Sequence, residues 1–312
     1  MSNPTNELWD IIIVGAGPAG LTAGIYAARA KRKTLIVEKL VPGGQVAITE
    51  WIENYPGFVD GVGGLELGEI LKKQAERFGA VLVSDEITKV DARSEPKIAH
   101  GDGGDYRGRT VIIATGSNHR KLGVPGEDEF ANKGVSYCAT CDGWYFNDKR
   151  IAVVGGGDSA FQEGDFLTRY ASKLWLIHRR DQFRAERVLQ DRLKSNPKVE
   201  MKLNAVVEEI VGNGEVTGIR IRNTETGETE LVETEGVFPF VGMIPNTEFL
   251  KGDFDLTPLG YVRGNERMET GIPGIYVAGD VRADAPWQAV TAAADGCIAA
   301  LSADEYLTHL DG

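Results

Sequence analysis

The stretch Asp10-Ile-Ile-Ile-Val-Gly15-Ala-Gly17-Pro-Ala-Gly20 decides the fold of this 312-residue chain. Its apolar run predicts a strand that is buried on both faces of a parallel sheet, and its glycines predict a tight turn into a helix. In such a turn Gly15 permits the bend, Gly17 lets the backbone approach a pyrophosphate, and Gly20 lets the helix pack on the strand. The stretch therefore predicts a dinucleotide-binding turn.

An acidic residue lies where such a turn needs one. A second predicted strand, residues 34–37, is followed by Glu38, eighteen positions after Gly20. A carboxylate at that offset accepts hydrogen bonds from a ribose. With a strand before the glycines, a helix after them and this acid, a binding turn is favoured over an ordinary one.

The same pattern recurs in Arg150-Ile-Ala-Val-Val-Gly155-Gly-Gly157-Asp-Ser-Ala160. A strand predicted at Lys173–Ile177 follows it, and the position equivalent to Glu38 is His178. The acid is therefore absent from the second motif, and Arg179, Arg180 and Arg184 lie close by. Guanidinium groups in place of a carboxylate suit a ribose 2′-phosphate, which predicts NADPH rather than NADH. The alternative is a solvated basic loop.

Between the two motifs lies Cys138-Ala139-Thr140-Cys141-Asp142-Gly143. Two cysteines at this spacing can close a disulfide ring, and a helix that begins there lowers the pKa of one thiol. Half of a zinc site and a pair of inert core thiols are the alternatives. Cys297 is the only other cysteine and no histidine follows closely, so we expect no metal. A redox-active dithiol is the favoured interpretation.

The composition narrows the function class. The net charge of −12 argues against nucleic acid and against an anionic membrane surface as partners. Three cysteines are too few for a secreted domain of this size held by disulfides, and residues 1–10 do not resemble a signal peptide. The apolar run at residues 11–14 is too short to span a bilayer. We therefore expect a cytoplasmic protein without a membrane segment.

The order of the motifs predicts one nucleotide-binding domain interrupted by another. Residues 1–118 and 247–312 form the first domain, and residues 119–246, which carry the dithiol, form the inserted second domain. Near the end, Gly274–Asp280 is predicted to be a strand that ends in an acid. Asp280 is either a helix N-cap or a cofactor contact, and its place at the carboxyl end of a strand favours the contact. A helix of small residues is predicted at Trp287–Leu307.

These motifs resemble closely those of the low-molecular-weight, bacterial- or archaeal-type thioredoxin reductases, in class II of the pyridine nucleotide-disulfide oxidoreductases. The resemblance covers nearly the whole chain. The motifs that carry it are Gly15-x-Gly17-Pro18-Ala19-Gly20, Gly43-Gly44-Gln45, Glu53-Asn54 with Pro56-Gly57, Ala114-Thr115-Gly116, Cys138-Ala-Thr-Cys141-Asp142-Gly143, Gly155-Gly-Gly157-Asp158-Ser159-Ala160, His178-Arg179-Arg180-Asp181 with Phe183-Arg184-Ala185, and Ala278-Gly279-Asp280.

The resemblance implies an α/β fold of two Rossmann-like domains, each with three layers (ββα), the second inserted in the first. It implies an NADPH-dependent flavoprotein that passes electrons from NADPH to FAD, to the Cys138–Cys141 disulfide and then to thioredoxin. Cys141 would face the flavin, Cys138 would attack the substrate disulfide, and Asp142 would donate and accept protons. A homodimer is also implied.

The residues expected to bind cofactors follow from the same motifs. For FAD they are Gly15, Gly17, Pro18, Ala19, Gly20, Glu38, Lys39, Gly44, Gln45, Asn54, Ala114, Thr115, Gly116, Gly279, Asp280, Gln288 and Ala289. For NADPH they are Gly155, Gly157, Asp158, Ser159, Ala160, His178, Arg179, Arg180 and Arg184.

The resemblance has one departure and leaves alternatives open. Many members of the family have Arg-Gln where this chain has Trp287-Gln288. The same scaffold could reduce a peroxiredoxin-linked or glutaredoxin-like protein, or take electrons from ferredoxin, although the arginines speak against ferredoxin. A flavin-holding redox sensor without turnover is the alternative from another class, and the intact Cys-x-x-Cys-Asp set disfavours it.

Overall fold

The computed structural model describes residues 4–49, 51–52, 54–250 and 252–312. In these ranges the helices are α1 (Pro18–Arg29), α2 (Gly64–Arg77), α3 (Ala139–Asp142), α4 (Asp158–Leu167), α5 (Arg187–Ser195) and α6 (Ala289–Asp311). The strands are β1 (Leu8–Val14), β2 (Thr34–Glu38), β3 (Trp51–Ile52), β4 (Val62–Gly63), β5 (Val81–Ser84), β6 (Ile87–Asp91), β7 (Lys97–Gly101), β8 (Gly104–Ile113), β9 (Ser117–His119), β10 (Arg150–Gly155), β11 (Lys173–Ile177), β12 (Val199–Lys202), β13 (Ala205–Asn213), β14 (Glu215–Asn223), β15 (Thr229–Glu233), β16 (Gly236–Phe240), β17 (Met243–Pro245) and β18 (Ile275–Val277).

The chain divides into two compact units. Unit 1 consists of residues 1–118 and 244–312, and unit 2 consists of residues 119–243. The chain returns to unit 1 at residue 244, three residues before the position expected from the sequence.

Unit 1 is built on a sheet with the strand order β5-β2-β1-β8-β7-β6, to which β18 adds by pairing with β8. Strands β1, β2, β5, β8 and β18 run parallel; beyond β8, β7 runs antiparallel to β8 and β6 runs antiparallel to β7. Because side chains alternate along a strand, Ile11 and Ile13 of β1 face the core under α1, α2 and α6, and Ile12 and Val14 face a second core. The apolar run in β1 is thus buried on both faces.

Unit 2 repeats this plan with fewer elements. Its parallel sheet has the order β12-β11-β10-β16, and an antiparallel sheet β13-β14-β15 covers one face. Ile151 and Val153 of β10 pack towards the helices with Phe161, whereas Ala152 and Val154 pack towards the antiparallel sheet. Unit 2 therefore has a helix layer, a parallel sheet and a further β layer, and each unit has a glycine turn after its first buried strand.

The two connections between the units run side by side, because β9 pairs with β17. Within the described ranges, no helix is both long enough and apolar enough to cross a membrane.

Candidate functional site: a disulfide and two dinucleotide turns

The two cysteines of the Cys-x-x-Cys motif form a disulfide in unit 2, with 5.3 Å between their Cα atoms. Cys138 is the N-cap of α3, and its sulfur accepts a hydrogen bond from the amide of Cys141 at 3.2 Å. Both cysteines are half-buried. The predicted pairing is thus present, at the beginning of a short helix.

Asp142, the acid predicted to exchange protons, is held close to the disulfide by Ser136. The Ser136 hydroxyl donates to Oδ2 of Asp142 at 2.5 Å and accepts a hydrogen bond from the amide of Cys138 at 3.2 Å. Sequence reasoning missed Ser136, because a serine before a Cys-x-x-Cys motif has no spacing rule that marks it. Its contacts appear only when the chain turns back at α3.

The residue before Cys138 is anchored to the segment that enters unit 2. The Tyr137 hydroxyl donates to Oε1 of Glu127 at 2.8 Å, and its ring stacks on His119 with 5.0 Å between the ring centroids. Burial lowers the pKa of His119, which keeps the imidazole neutral at pH 7. The Glu127 carboxylate also accepts the amides of Leu122 and Gly123 at 2.9 and 2.7 Å. These contacts limit the movement of the backbone that leads into the disulfide.

The second glycine turn is also in unit 2, between β10 and α4. A Cβ atom added to Gly157 would meet no atom within 4 Å, so the backbone is open to a ligand at this position. Gly157 is the N-cap of the ten-residue helix α4 and offers no side chain to its first amides. Uncapped amides at a helix N-terminus bind phosphate groups. The turn therefore fits a dinucleotide.

The basic segment after β11 lies against this turn. The amide of Arg184 donates to the carbonyl of Gly156 at 2.8 Å, and the amide of Glu186 donates to Oδ1 of Asp158 at 2.8 Å. The His178 ring packs directly over Gly156, where an added Cβ would lie 2.2 Å from it. Burial, with a smaller effect from Arg179, lowers the pKa of His178. His178 therefore covers the turn as a neutral ring, and the positive charge comes from the arginines.

The arginines of this segment are exposed. In the described part of the chain, no ion pair or side-chain hydrogen bond is found for Arg179, Arg180 or Arg184. Most other arginines of the chain bind a carboxylate or an aromatic ring, as Arg192 binds Asp165. A group of unpaired guanidiniums beside a phosphate-binding turn is what the predicted 2′-phosphate needs.

The first glycine turn lies in unit 1, where its residues approach very closely. Gly15 has φ +104°, and an added Cβ would lie 2.4 Å from the carbonyl oxygen of Ala114. An added Cβ on Gly20 would lie 1.9 Å from the carbonyl oxygen of Gly15. A Cβ on Gly17 would meet nothing within 4 Å. Two of the glycines therefore serve packing, and the third leaves the backbone open at the N-terminus of α1.

Glu38 lies at the end of β2, beside this turn. Its Oε2 accepts the amide of Ala16 at 2.6 Å, and its Oε1 accepts the amide of Leu40 at 2.9 Å. The neighbouring Lys39 ammonium lies 3.4 Å from the Glu86 carboxylate. Backbone amides thus orient the Glu38 carboxylate next to the glycines.

Two further glycines that were expected to bind FAD lie against residues of the same turn. An added Cβ on Gly44 would lie 3.2 Å from the Cα of Gly17, and one on Gly279 would lie 2.9 Å from the Cβ of Ala19. Asn54 donates to Oε1 of Gln288 at 3.1 Å, directly before α6 begins at Ala289. Glu53, which is part of the same motif, lies outside the described residues.

Asn246 organises the segment after β8, a role that sequence reasoning missed. Its amide donates to the carbonyl of Gly116, its side chain donates to the carbonyl of Thr115 at 2.8 Å, and its own carbonyl accepts the Thr115 hydroxyl at 2.8 Å. Its Oδ1 also accepts the Asn118 amide at 2.9 Å, and Asn118 Oδ1 accepts Nε2 of Gln45 at 2.7 Å. A Pro-Asn pair in a linker was the only available signal.

Asp280 follows β18 and is mostly buried. Burial, together with the nearby charge of Asp295, raises the pKa of Asp280 to about 6. Asp295, on α6, accepts the amide of Gly279 at 3.1 Å and Nε of Arg282 at 3.0 Å. A buried carboxylate with a raised pKa has a strong requirement for a hydrogen-bond donor, which a ligand hydroxyl can supply.

Two further residues from the sequence analysis lie in unit 1. Trp287 has φ +51° and lies with its ring centroid 6.5 Å from that of Tyr261. Cys297 is a free thiol and is half-buried. Among the described residues no cluster of three or more His, Cys, Asp or Glu could hold a metal ion.

Comparisons with known proteins agree with this architecture. A family model described as pyridine nucleotide-disulphide oxidoreductase matches residues 9–296. The chain therefore belongs to the pyridine nucleotide-disulphide oxidoreductase family. The thioredoxin reductases of Listeria monocytogenes and Bacillus subtilis are each 45% identical over 305 residues, which is 97% of this chain and 95% and 96% of theirs.

Solved structures narrow this placement. The crystal structure of thioredoxin reductase from Streptococcus pyogenes matches with a TM-score of 0.92 at 41% identity, covering 98% of this chain and 100% of that one. Thioredoxin reductase from Giardia duodenalis matches with a TM-score of 0.91 at 35% identity, covering 97% of this chain and 99% of that one. Within the family the chain groups with the low-molecular-weight thioredoxin reductases. The resemblance and the α/β fold class expected from the sequence are both confirmed.

Proposed function

We propose that this chain is a thioredoxin-disulfide reductase that uses NADPH and FAD and passes electrons through the Cys138–Cys141 disulfide to thioredoxin. The observation that carries the proposal is the disulfide itself, half-buried at the start of α3 and next to the Ser136–Asp142 hydrogen bond. A disulfide at this position can be opened and closed by thiol–disulfide exchange with a protein partner.

FAD fits unit 1. The open backbone at Gly17 and the first turn of α1 would bind its pyrophosphate, and Glu38 would bind its adenosine ribose. Gly44 and Gly279 lie against this turn and Asp280 directly follows Gly279, so these residues, together with Asn54, would contact the bound cofactor. Bound FAD supplies two-electron transfer between a nicotinamide and a disulfide.

NADPH fits unit 2. The open backbone at Gly157 and the uncapped first turn of α4 would bind its pyrophosphate. Arg179, Arg180 and Arg184 would bind the 2′-phosphate, because guanidinium groups pair with phosphate oxygens in bidentate fashion. Their lack of other partners in the described chain means that no ion pair must break first.

The two cysteines have different roles in this proposal. Cys138 attacks the substrate disulfide, and Cys141, the sulfur on the flavin side, resolves the mixed disulfide. Asp142 takes up and returns a proton as thiols form and react. The amide of Cys141 donates to the Cys138 sulfur, and a hydrogen bond to a thiolate stabilises the charged form. The same contact therefore favours Cys138 as the attacking thiolate.

Assembly as a homodimer in the cytoplasm is part of the proposal. Apolar side chains on α1, α2 and α6 of unit 1 are exposed although the same helices bury their other faces, and they include Tyr26, Leu65, Ile70, Ile298 and Leu301. Such surfaces are typical of contacts between copies of one chain. Sedimentation at micromolar concentration that gives a monomer would contradict the homodimer.

A two-stage experiment tests the function. NADPH is first mixed with the FAD-loaded protein and the loss of flavin absorbance is followed by stopped flow; thioredoxin is then added and insulin reduction is measured. We expect fast bleaching and NADPH consumption that depends on thioredoxin, and Cys138→Ser should keep the first and lose the second. Bleaching without thioredoxin reduction would point to another protein acceptor. No bleaching at all would refute the proposed enzymatic activity.

A further inference from the structure

Ser136 is a buried hydroxyl whose position is fixed by the parallel sheet of unit 2. Its side chain and backbone together are only 6% exposed. Its backbone amide donates to the carbonyl of Val237 on β16 at 3.0 Å, and Val237 is fully buried. The hydroxyl is therefore held by the rigid core of the unit, while the disulfide segment turns around it.

The Ser136 hydroxyl has two acceptors within reach and one proton to give. Oδ2 of Asp142 is 2.5 Å away, and the carbonyl oxygen of Cys138 is 3.4 Å away. A hydroxyl donates one hydrogen bond at a time. The bond to an ionised carboxylate is shorter and stronger than one to a neutral carbonyl, so Ser136 donates to Asp142 while Asp142 is charged.

Protonation of Asp142 reverses this preference. A protonated carboxyl group can donate its own hydrogen to Oγ of Ser136, and the hydroxyl can then turn towards the Cys138 carbonyl. Each protonation state of Asp142 thus has a hydrogen bond, and the carboxyl group need not move. We propose that Ser136 is a positioning residue for Asp142, whose hydroxyl holds the carboxyl group beside the disulfide and changes its acceptor when Asp142 takes up a proton.

The proposal rests on the role given to Asp142 in the proposed function. The electrons and protons of the reaction balance. Conversion of the Cys138–Cys141 disulfide to two thiols takes two electrons and two protons. Exchange with a protein disulfide passes both electrons and both protons to the partner's two sulfurs. Asp142 carries one of these protons between the two half-reactions and ends each cycle as it began.

The test compares Asp142 titration and turnover in matched variants of the holoenzyme. Ser136→Ala removes a hydrogen bond that favours the carboxylate, so the pKa of Asp142 should rise by about one unit. This is measured from the ¹³C resonance of the Asp142 carboxyl group, identified by its loss in Asp142→Asn. In the pH profile of the rate of thioredoxin reduction, the acid limb should move to higher pH by the same amount. Ser136→Thr keeps the hydroxyl and should leave both values in place.

Two controls separate this effect from a general loss of structure. Ser195→Ala removes a hydrogen-bonded hydroxyl from the same unit, far along α5, and should change neither value. Flavin content and flavin reduction by NADPH should be normal in Ser136→Ala. If Ser136→Ala does not fold, Ser136→Gly removes the same hydroxyl without adding atoms and is measured in its place.

The outcomes that overturn the proposal can be told apart. If Asp142→Asn flattens the acid limb but Ser136→Ala leaves the limb and the resonance unmoved, Ser136 does not position Asp142, while the proposed function stands. If the variant that combines Ser136→Ala with Asp142→Asn differs in its pH profile from Asp142→Asn alone, the hydroxyl acts through the Cys138 amide instead. If Asp142→Asn has no effect, the role of Asp142 itself is wrong and the proposal fails with it.

Discussion

The backbone amide of Cys141 donates a hydrogen bond to the sulfur of Cys138 at 3.2 Å, and no equivalent contact to the Cys141 sulfur is found among the described residues. The two sulfurs therefore differ in their electrostatic surroundings. An amide that donates to a thiolate stabilises its charged form, so we expect Cys138 to be the attacking thiolate once the disulfide is reduced.

The difference between the sulfurs predicts a trapping experiment. Cys141→Ser should leave Cys138 free to attack but remove the resolving thiol, so a stable mixed disulfide with thioredoxin should accumulate. Cys138→Ser should trap little. Each variant is mixed with a thioredoxin activated at its attacking cysteine and analysed on a non-reducing gel. The reverse pattern would mean that the roles are exchanged, and equal trapping would mean that the contact does not distinguish the sulfurs.

The arginine segment predicts the nucleotide preference. Arg179→Ala combined with Arg180→Ala should weaken the binding of NADPH more than that of NADH, since each hydrogen bond lost to the 2′-phosphate costs about 1.5–3 kcal/mol. The ratio of kcat/KM for the two nucleotides should fall tenfold or more, because about 1.4 kcal/mol corresponds to a factor of ten. Arg192→Ala, on the same unit but paired with Asp165, is the control. An unchanged ratio in the double variant would refute the 2′-phosphate assignment.

Alanine substitutions at two glycines of the first turn should have different effects, one on FAD binding and the other on stability. Gly17→Ala adds a methyl group where no atom lies within 4 Å, so the apoprotein should keep its stability while FAD binding weakens. Gly20→Ala places a methyl group 1.9 Å from the Gly15 carbonyl oxygen, so the fold itself should be destabilised. Thermal unfolding without FAD, followed by FAD titration, separates the two. A Gly17→Ala protein that binds FAD normally would show that the open backbone is not the cofactor site.

Asp280 predicts a pH dependence of the FAD-free protein. Its pKa in the folded state is about 6, above the ordinary 3.8, so the folded state holds the proton more tightly than the unfolded state. The free energy of unfolding should therefore fall as the pH rises from about 4 to 6, by up to about 3 kcal/mol from this group. Asp280→Asn should remove that fall and stabilise the apoprotein at pH 7.

FAD provides the complementary measurement. A ligand hydroxyl that donates to the Asp280 carboxylate would offset the cost of burying its charge, so Asp280→Asn should weaken FAD binding at pH 7 while it stabilises the apoprotein. Chemical unfolding at several pH values and FAD titration give both quantities. Loss of apoprotein stability in Asp280→Asn would contradict the raised pKa.

Much of the fold could be predicted because its signals are local. The apolar run of β1, buried on both faces, and the glycine turn that follows it occupy consecutive residues, and so do β10 and its turn. Helix α6 was predicted to end at Leu307 and in fact ends at Asp311. Its last turn is held by Arg109, whose guanidinium contacts Asp311 at 2.5 Å across 202 positions. Such a partner cannot be read from the neighbouring sequence.

The sequence by itself determined the two glycine turns, the disulfide spacing and the basic segment, because each depends on residue types at fixed short offsets. Only the tertiary structure decided which distant polar groups form hydrogen bonds beside these segments. Ser136 meets Asp142 because β16 fixes one and α3 turns the other back towards it. Asn246 meets Thr115 across 131 positions because the chain returns to unit 1 beside the place where it left. Hydrogen bonds depend on ångström-scale distances, and packing between distant segments sets those distances.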